Sequence, residues 1–385
     1  MGAPLGPGPG AGHARSGCAR RRRATAALVA AALVLAACGG GDEAQPRGPV
    51  VEVDPSTTLP TRPPSEPRPA PELSRVEGVT TTLSVGADEG LARWREEVPG
   101  IEEVRVRSRA DGHEQPVLWL PPGGEGPQPL LVALHSWSYG YQQHMGIPFG
   151  QWAASNGWAM VHPDYRGPFR TPEATGSDLA VQDVLDAVDF ALEEGGVDRD
   201  RVFVIGFSGG GMMSLLVAGR HPERFAGVVS WVPIHDLADW YGYNAERGTR
   251  YAGEIRDSCG GDPLTDEGAA ERCRHRSPRT HLDAARAAGV PAYIGHGVSD
   301  DVVPPAHAVR AFNQLADPSD RLPEEADPGA LRGLDAETYF ADGEPQALFS
   351  RRSGGTTLVL FDGGHDMVYH PGLEWMVRGT GAWDR

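Results

Sequence analysis

Short, nearly continuous apolar runs alternate with helix-like stretches along most of the chain. The runs include PLLVALH (129–135), RVFVIGFS (201–208) and TTLVLFDGG (356–364), which have the composition of strands buried on both faces. Between such runs, apolar residues recur at helical spacing, as over 177–196, where Ser177 is a candidate N-cap. This pattern predicts an α/β fold whose central sheet is mostly parallel and carries helices on both faces.

Other stretches extend the same series. Further strands are expected at 104–110, 115–121, 158–164, 225–233 and 290–297, and further helices at 210–222, 307–315 and 373–377. The first two of these strands have the pattern of an antiparallel opening pair. Two segments interrupt the alternation: 234–281, which carries aromatic residues and two cysteines, and 316–350, which is acidic and irregular. Insertions at such positions are tolerated and often shape a site.

The first residues have the pattern of an export signal rather than of a folded domain. A basic segment, Arg20–Arg23, precedes an apolar stretch, 24–38, that is too short to span a bilayer comfortably. Small residues lead to Cys38 in a pattern similar to the bacterial lipobox, whose cysteine is lipidated. We therefore predict a signal peptide over 1–37, a lipid anchor at Cys38 and a place on the outer face of a bacterial cell membrane. Ordinary cleavage or an uncleaved anchor is the alternative.

Residues 38–75 differ in composition from the rest. They are rich in Gly, Pro and acidic residues and lack apolar periodicity. Because prolines interrupt helices and sheets, this segment is predicted to be a disordered tether. A single folded domain is then expected over 76–385.

Two cysteines remain once Cys18 and Cys38 are assigned to the signal and the anchor. In an exported protein the pair Cys259 and Cys273 is expected to form a disulfide, with two free buried thiols as the alternative. Two isolated cysteines are only half of a zinc ligand set, so no metal is predicted. No cofactor is predicted either.

The charge balance limits the partners. With 52 acidic residues against 35 Lys and Arg, the formal net charge is -17. This charge excludes nucleic acid and anionic lipid as partners of the folded part. The glycines at 206–211 lack the G-x-x-x-x-G-K pattern that cradles phosphates. The composition carries no information on the oligomeric state.

The sequence GFSGG (206–210) matches G-x-S-x-G between a predicted strand and a predicted helix. In that context the pattern is typical of a nucleophile elbow, a tight turn that exposes its serine at the top of the sheet. The helix that follows directs its first N–H groups, beginning with that of Gly209, toward a developing oxyanion. Ser208 is therefore the candidate nucleophile. A glycine-rich turn that only lets a strand and a helix pack is the alternative.

A serine nucleophile needs a base that is itself oriented by an acid, and in this architecture the order along the chain is serine, acid, histidine. Asp300 and Asp301 follow the predicted strand at 290–297. His365 lies in a Gly-Gly turn after the last predicted strand. We predict Asp300 as the acid and His365 as the base, with structural or surface roles as the alternatives.

These segments resemble the catalytic domain of the prolyl oligopeptidase family of serine peptidases, which has the α/β-hydrolase fold. The resemblance rests on GFSGGG, HGVSDDVVPP and GGHD, together with HPDYRG (162–167) and RHRSPRTHL (274–282) in the family's order. The family pattern H-G-x-x-D-x-x-V-P aligns with His296–Pro304 and implies that the acid is Asp300. The resemblance also implies a serine-type peptidase that forms an acyl-enzyme.

A second oxyanion donor is expected from the loop HSWSYGYQQH (135–144), which is not glycine-rich. The backbone N–H of Trp137 is one candidate. The resemblance implies a tyrosine hydroxyl as another, from Tyr139 or Tyr141. All three are packing residues in the alternative interpretation.

Aromatic residues cluster after the strand that follows the elbow. Trp231, Trp240 and Tyr241 are weak candidates for the wall of a substrate pocket that would suit proline, aryl or other bulky groups. Core packing explains the same cluster equally well.

The substrate class has two interpretations. The resembled family carries a β-propeller that restricts access to the site, and the residues before the core here are too few for one. Propeller-free relatives look like feruloyl, acetyl-xylan and polyester esterases, so an ester is the alternative to a peptide substrate. A non-catalytic binding module is the second alternative, although the serine, the acid and the histidine are all present.

Overall fold

The computed structural model describes most of the chain downstream of the predicted tether, over residues 50–51, 72–76, 78–81, 89–323 and 325–383. The predicted signal peptide, Cys38 and most of the predicted tether lie outside the described residues. In the described part, no helix combines the length and the hydropathy that crossing a bilayer requires.

A large, mostly parallel sheet lies at the centre of the described chain, which confirms the predicted fold class. In spatial order its eleven strands in the described residues are β1 (Val50–Val51), β3 (Glu102–Arg107), β4 (Glu114–Leu120), β6 (Ala159–Pro163), β5 (Gln128–Leu134), β7 (Val197–Phe207), β8 (Gly227–Trp231), β9 (Ala292–Gly297), β12 (Thr356–Phe361), β11 (Ala347–Ser353) and β10 (Gly333–Leu334). The six strands from β6 to β12 in this order run parallel. The predicted opening pair, β3 and β4, is antiparallel. Strand β1, which falls within the predicted tether, pairs parallel to β3.

Helices cover both faces of the sheet. The helices on one face are α3 (Asp178–Glu194), α4 (Gly209–Arg220), α8 (Leu282–Ala288) and α9 (Ala306–Leu315). Those on the other face are α1 (Leu91–Glu97), α2 (Ile147–Ser155) and α10 (Tyr369–Arg378). The alternation along β7 explains the two layers: Val202 and Val204 join the first core, whereas Phe203 and Ile205 join the second.

Three helices that the sequence did not predict fill most of the 234–281 segment: α5 (Leu237–Arg247), α6 (Arg250–Cys259) and α7 (Glu267–His275). We refer to these helices as the cap. Their many charged residues obscure the apolar period, but terminal signals are present. The Asp236 carboxylate accepts N–H bonds at the start of α5, and Gly248, with a φ of 64°, ends it.

A separate antiparallel pair joins β2 (Val79–Thr81) to β13 (Asp366–Val368). This pairing anchors the segment that directly follows His365. The 316–350 segment is mostly irregular, as expected, apart from β10 and the start of β11.

Cys259 and Cys273 form the predicted disulfide, with a sequence separation of 14 residues. Both side chains are fully buried. The bond ties the last residue of α6 to α7, and it therefore holds two cap helices together.

Replacing both Cys259 and Cys273 by serine should destabilise the cap. A loop of this length predicts a loss of about 3 kcal/mol in the free energy of unfolding. The measurement is thermal unfolding with and without a reductant. Reduction should lower the unfolding temperature of the wild type and leave that of the double variant unchanged. A wild type that does not respond to reduction would contradict the assignment.

Candidate active site

The turn from β7 into α4 is strained at Ser208. Its φ of 58° and ψ of -114° lie where residues other than glycine are uncommon. Glycines make the turn possible: a Cβ on Gly206 would lie 2.1 Å from the carbonyl oxygen of Gly210, and one on Gly210 would lie 2.5 Å from that of Leu134. The chain thereby presents Ser208 at the C-terminal end of a central parallel strand.

Three side chains that were singled out in the sequence meet at this turn. The Nε2 atom of His365 lies 3.0 Å from the Oγ atom of Ser208, and its Nδ1 atom lies 2.7 Å from an Oδ2 oxygen of Asp300. The three residues follow the C-terminal ends of β7, β9 and β12, and all are buried. A hydroxyl, an imidazole and a carboxylate in this order can deprotonate the serine for nucleophilic attack.

Four donors surround the carboxylate of Asp300. Its Oδ1 atom accepts the backbone N–H groups of Val302 at 2.8 Å and Val303 at 2.9 Å. Its Oδ2 atom faces His365 and, at 3.1 Å, the Nε2 atom of His296. Burial alone would favour the neutral acid, but the hydrogen bonds from the two histidines outweigh it and hold the pKa of Asp300 well below its ordinary value. Asp300 is therefore ionised.

His296 is the residue that the sequence reasoning did not assign. It is fully buried, and its Nε2 atom also lies 2.9 Å from the carbonyl oxygen of Val303. Because both neighbours of Nε2 are acceptors, this nitrogen carries the proton and donates it. The histidine of the H-G-x-x-D pattern was the available signal, since it stands four residues before Asp300 at the end of β9.

Two backbone N–H groups converge beside Ser208. The Gly209 N–H is the first of α4 and has no intrahelical acceptor. A Cβ on Gly209 would lie 2.7 Å from the Trp137 nitrogen, so the two groups are close neighbours. Neither N–H has a backbone or side-chain acceptor within the described residues. Together they can donate to an oxyanion on the substrate.

The two tyrosines of this loop differ in position. The Tyr141 hydroxyl donates to Glu103 at 3.2 Å and accepts from Gln142 at 2.8 Å, and burial raises the pKa of Tyr141 to about 12. This hydroxyl is thus engaged away from Ser208. Tyr139 is half-buried and interacts electrostatically with Arg250 of the cap.

The aromatic residues expected to line a pocket are packed inside. Trp231 is fully buried between Tyr293 and Phe361, on the sheet face that α1, α2 and α10 cover. Trp240 is fully buried in the cap, and Tyr241 interacts with Asp262 there. The alternation of side chains along β8 explains the position of Trp231, because it directs this side chain to the sheet face opposite the cap. The structure assigns these residues to packing rather than to a pocket wall.

The cap contacts both loops that flank Ser208. Glu254 accepts the indole N–H of Trp137 at 2.7 Å, and the Trp240 indole N–H donates to the Val302 carbonyl oxygen at 2.9 Å. The Tyr243 hydroxyl donates to the Asp301 carbonyl oxygen at 2.7 Å. The cap thus braces the loop that carries Trp137 and the loop that carries Asp300. No sequence motif marks Glu254, so its role was not predicted.

A cavity of about 840 Å³ opens elsewhere, between the start of α5 and α9. Its lining contains three aspartates and three arginines, so its charges balance: Asp236, Asp239, Asp283, Arg279, Arg310 and Arg321. Neither Ser208 nor His365 lines it. This cavity is therefore separate from the site around the elbow.

Comparison with known proteins identifies similar sequences. Residues 150–330 match the model of the prolyl oligopeptidase family. The chain is 29% identical over 140 residues to feruloyl esterase B of Thermothelomyces thermophilus, covering 34% of this chain and 47% of the esterase. It is 28% identical over 200 residues to dipeptidyl aminopeptidase BIII of Pseudoxanthomonas mexicana, covering 48% of this chain and 27% of the aminopeptidase. The chain thus spans about half the length of these relatives or less.

Solved structures that match part of this chain include an acylaminoacyl peptidase of Pyrococcus horikoshii. It has a TM-score of 0.45 and 22% sequence identity, and the match covers 58% of this chain and 36% of the peptidase. A puromycin-hydrolysing peptidase of Mycobacterium tuberculosis has a TM-score of 0.49 and 17% identity, over 74% of this chain and 39% of the peptidase.

Replacing His296 by phenylalanine should lower kcat/KM for any activity of this site by roughly tenfold, the effect of losing one hydrogen bond to a charged group. Without the second donor on Oδ2, the carboxylate of Asp300 loses one of the hydrogen bonds that orient it and keep its pKa low. The measurement is kcat/KM, together with thermal unfolding to show that the variant is folded.

His296→Gln is the matched control, because its amide can donate from nearly the same position. It should keep most of the wild-type kcat/KM. An equal loss of kcat/KM in His296→Phe and His296→Gln would give His296 a packing role only.

Proposed function

We propose that this protein is a serine hydrolase of the prolyl oligopeptidase family, whose model matches residues 150–330, and that it cleaves peptide bonds through an acyl-enzyme. One observation carries the proposal: Ser208, His365 and Asp300 form a continuous hydrogen-bonded series at a strained strand-to-helix turn. A strained serine whose hydroxyl faces an imidazole is suited to nucleophilic attack.

In the first half of the reaction, the Ser208 oxygen attacks the acyl carbon of the substrate, and the Nε2 atom of His365 takes the hydroxyl proton. The Nδ1 proton of His365 points at Asp300, so the free lone pair is on Nε2. The ionised Asp300 then stabilises the imidazolium. His365 passes the proton to the departing amine, which leaves as the carbon–nitrogen bond breaks.

In the second half, water attacks the acyl-enzyme while His365 takes a proton from it. The ester bond to Ser208 breaks, the proton returns to the serine oxygen, and a carboxylic acid leaves. In both halves the substrate oxygen carries negative charge that the N–H groups of Gly209 and Trp137 stabilise. One such donor contributes about 2.7–4 kcal/mol to transition-state stabilisation.

A carboxylesterase is the second candidate. The similarity to a feruloyl esterase favours it, whereas the family match and the similarity to a dipeptidyl aminopeptidase favour the peptidase. Both reactions use the same nucleophile, base and oxyanion donors. They differ in the leaving group, since an amine must be protonated before it departs and an alcohol departs more easily.

Ser208→Ala should abolish turnover and labelling by a fluorophosphonate probe, because in the described part of the chain the hydroxyl that lies against the Nε2 atom of His365 is that of Ser208. The measurement pairs p-nitrophenyl acyl esters of several lengths with proline- and alanine-p-nitroanilide peptides, both free and N-blocked. Serine-dependent amide cleavage supports the peptidase. Ester turnover without amide cleavage supports the esterase, and full activity in the variant would remove the assignment of Ser208.

Anchoring by lipid at Cys38 is a separate proposal, which rests on the apolar stretch and the small residues before this cysteine. The predicted mature protein begins at Cys38 and reaches its substrate outside the cell. Cells that express the full chain should incorporate radiolabelled palmitate into the wild type and not into Cys38→Ser. A protein that takes up no label, or a variant that takes up as much as the wild type, would remove the anchor.

A further inference from the structure

Two arginines approach one residue of the loop that carries Trp137. Arg250 donates from Nη2 to the Ser138 hydroxyl at 2.7 Å, and Arg170 donates from Nη2 to the Ser138 carbonyl oxygen at 3.2 Å. Ser138 directly follows Trp137, whose N–H lies beside Gly209. Two guanidinium groups from distant parts of the chain therefore lie at the edge of the proposed oxyanion site.

The positive charge there is only partly balanced. Arg250 has one carboxylate nearby, that of Glu254 at 3.6 Å, which also accepts the Trp137 indole. Arg170 has no ion pair among the described residues, and both arginines are exposed.

Acidic groups on the other side of the same loop are already engaged. Glu89 accepts the Gly140 N–H at 2.6 Å, and Asp164 accepts the Tyr141 N–H at 3.3 Å. Burial raises the pKa of Asp164. These two carboxylates bind backbone N–H groups of the loop and form no ion pair with Arg170 or Arg250.

The start of α6 adds to the positive field. Arg250 is the first residue of this ten-residue helix, and the Thr249 side chain does not cap it. The first N–H groups of a helix and its dipole favour an anion at this end. The Tyr251 ring, one residue further, packs on Trp137 and Trp240, which keeps this helix end against the Trp137 loop.

We propose that Arg170, Arg250 and the N-terminus of α6 form a subsite for a carboxylate group of the substrate, next to the bond that is cleaved. The inference rests on the proposed hydrolase function and narrows its substrate class to acidic acyl groups or acidic leaving groups. A guanidinium pair with adjacent backbone donors matches the planar, two-oxygen geometry of a carboxylate.

The test uses purified full-length protein and substrates in pairs that differ only in one carboxyl group, which is either free or amidated. One pair carries the group on the acyl side and the other on the leaving-group side. Wild type should prefer the free carboxylate of one pair by roughly tenfold in kcat/KM, and added salt should weaken the preference. The side that shows the preference identifies the source of the carboxylate.

Arg170→Gln and Arg250→Gln should each reduce this preference by about fivefold, mainly through a higher KM for the free carboxylate, and should lower kcat/KM for the amidated substrate by a smaller factor. Arg250→Glu should disfavour the free carboxylate. Arg286→Gln is the matched control, since this exposed arginine of α8 precedes β9 and lies at the end of the strand opposite Asp300. It should keep the wild-type preference.

If an arginine variant lost the same factor in kcat/KM on the free and the amidated substrate, the arginines would only hold Ser138 in place. If the wild type showed no preference for the free carboxylate in either pair, the subsite would be overturned. Calorimetry on Ser208→Ala separates this result from failure of the hydrolase proposal. Succinate should bind more tightly than succinamide, and Arg250→Gln should remove the difference. Equal binding of the two probes would also overturn the subsite.

Discussion

The close approach of backbone around Ser208 is the constraint on which the rest of the site depends. The serine adopts a positive φ only because Gly206 and Gly210 leave no Cβ between β7, α4 and the end of β5. The same approach brings the Gly209 nitrogen beside the Trp137 nitrogen. A strained residue persists when its surroundings determine it, and here buried parallel strands on both sides of β7 do so. The position of the candidate nucleophile and those of the proposed oxyanion donors are thus set by the same backbone geometry.

The electrostatics of the site follow from burial of one charge. Asp300 is ionised inside the protein because four hydrogen-bond donors replace the water it loses. Two of them are backbone groups from its own loop, which orient the carboxylate. The other two are His296 and His365, which share one oxygen. The orientation and the charge of Asp300 therefore depend on His296 as well as on His365.

The turn at Ser208 could be predicted because its sequence signals are local. The apolar run before Ser208, the glycines around it and the helix after it lie within twenty residues, so the elbow follows from short-range chemistry. Asp300 and His365 could be predicted because each follows a predicted strand, and the ends of parallel strands meet at one edge of the sheet. The cap helices were missed although Leu237, Trp240 and Tyr241 stand at helical spacing in α5, because charged residues make up much of α6 and α7. Trp231 was placed in a pocket because composition does not reveal which face of a strand a residue occupies.

The cap, which the sequence did not predict, is also the part of the fold that contacts the loops around Ser208. Through Glu254 and Arg250 the cap holds the Trp137 loop, and through Trp240 and Tyr243 it holds the loop of Asp300. The contacts that hold both loops and the arginine of the proposed carboxylate subsite therefore belong to the same set of helices. The disulfide between α6 and α7 keeps these helices together without a large core of their own. Changes on the exposed surface of the cap can alter substrate preference while the strands that position Ser208, Asp300 and His365 stay unchanged.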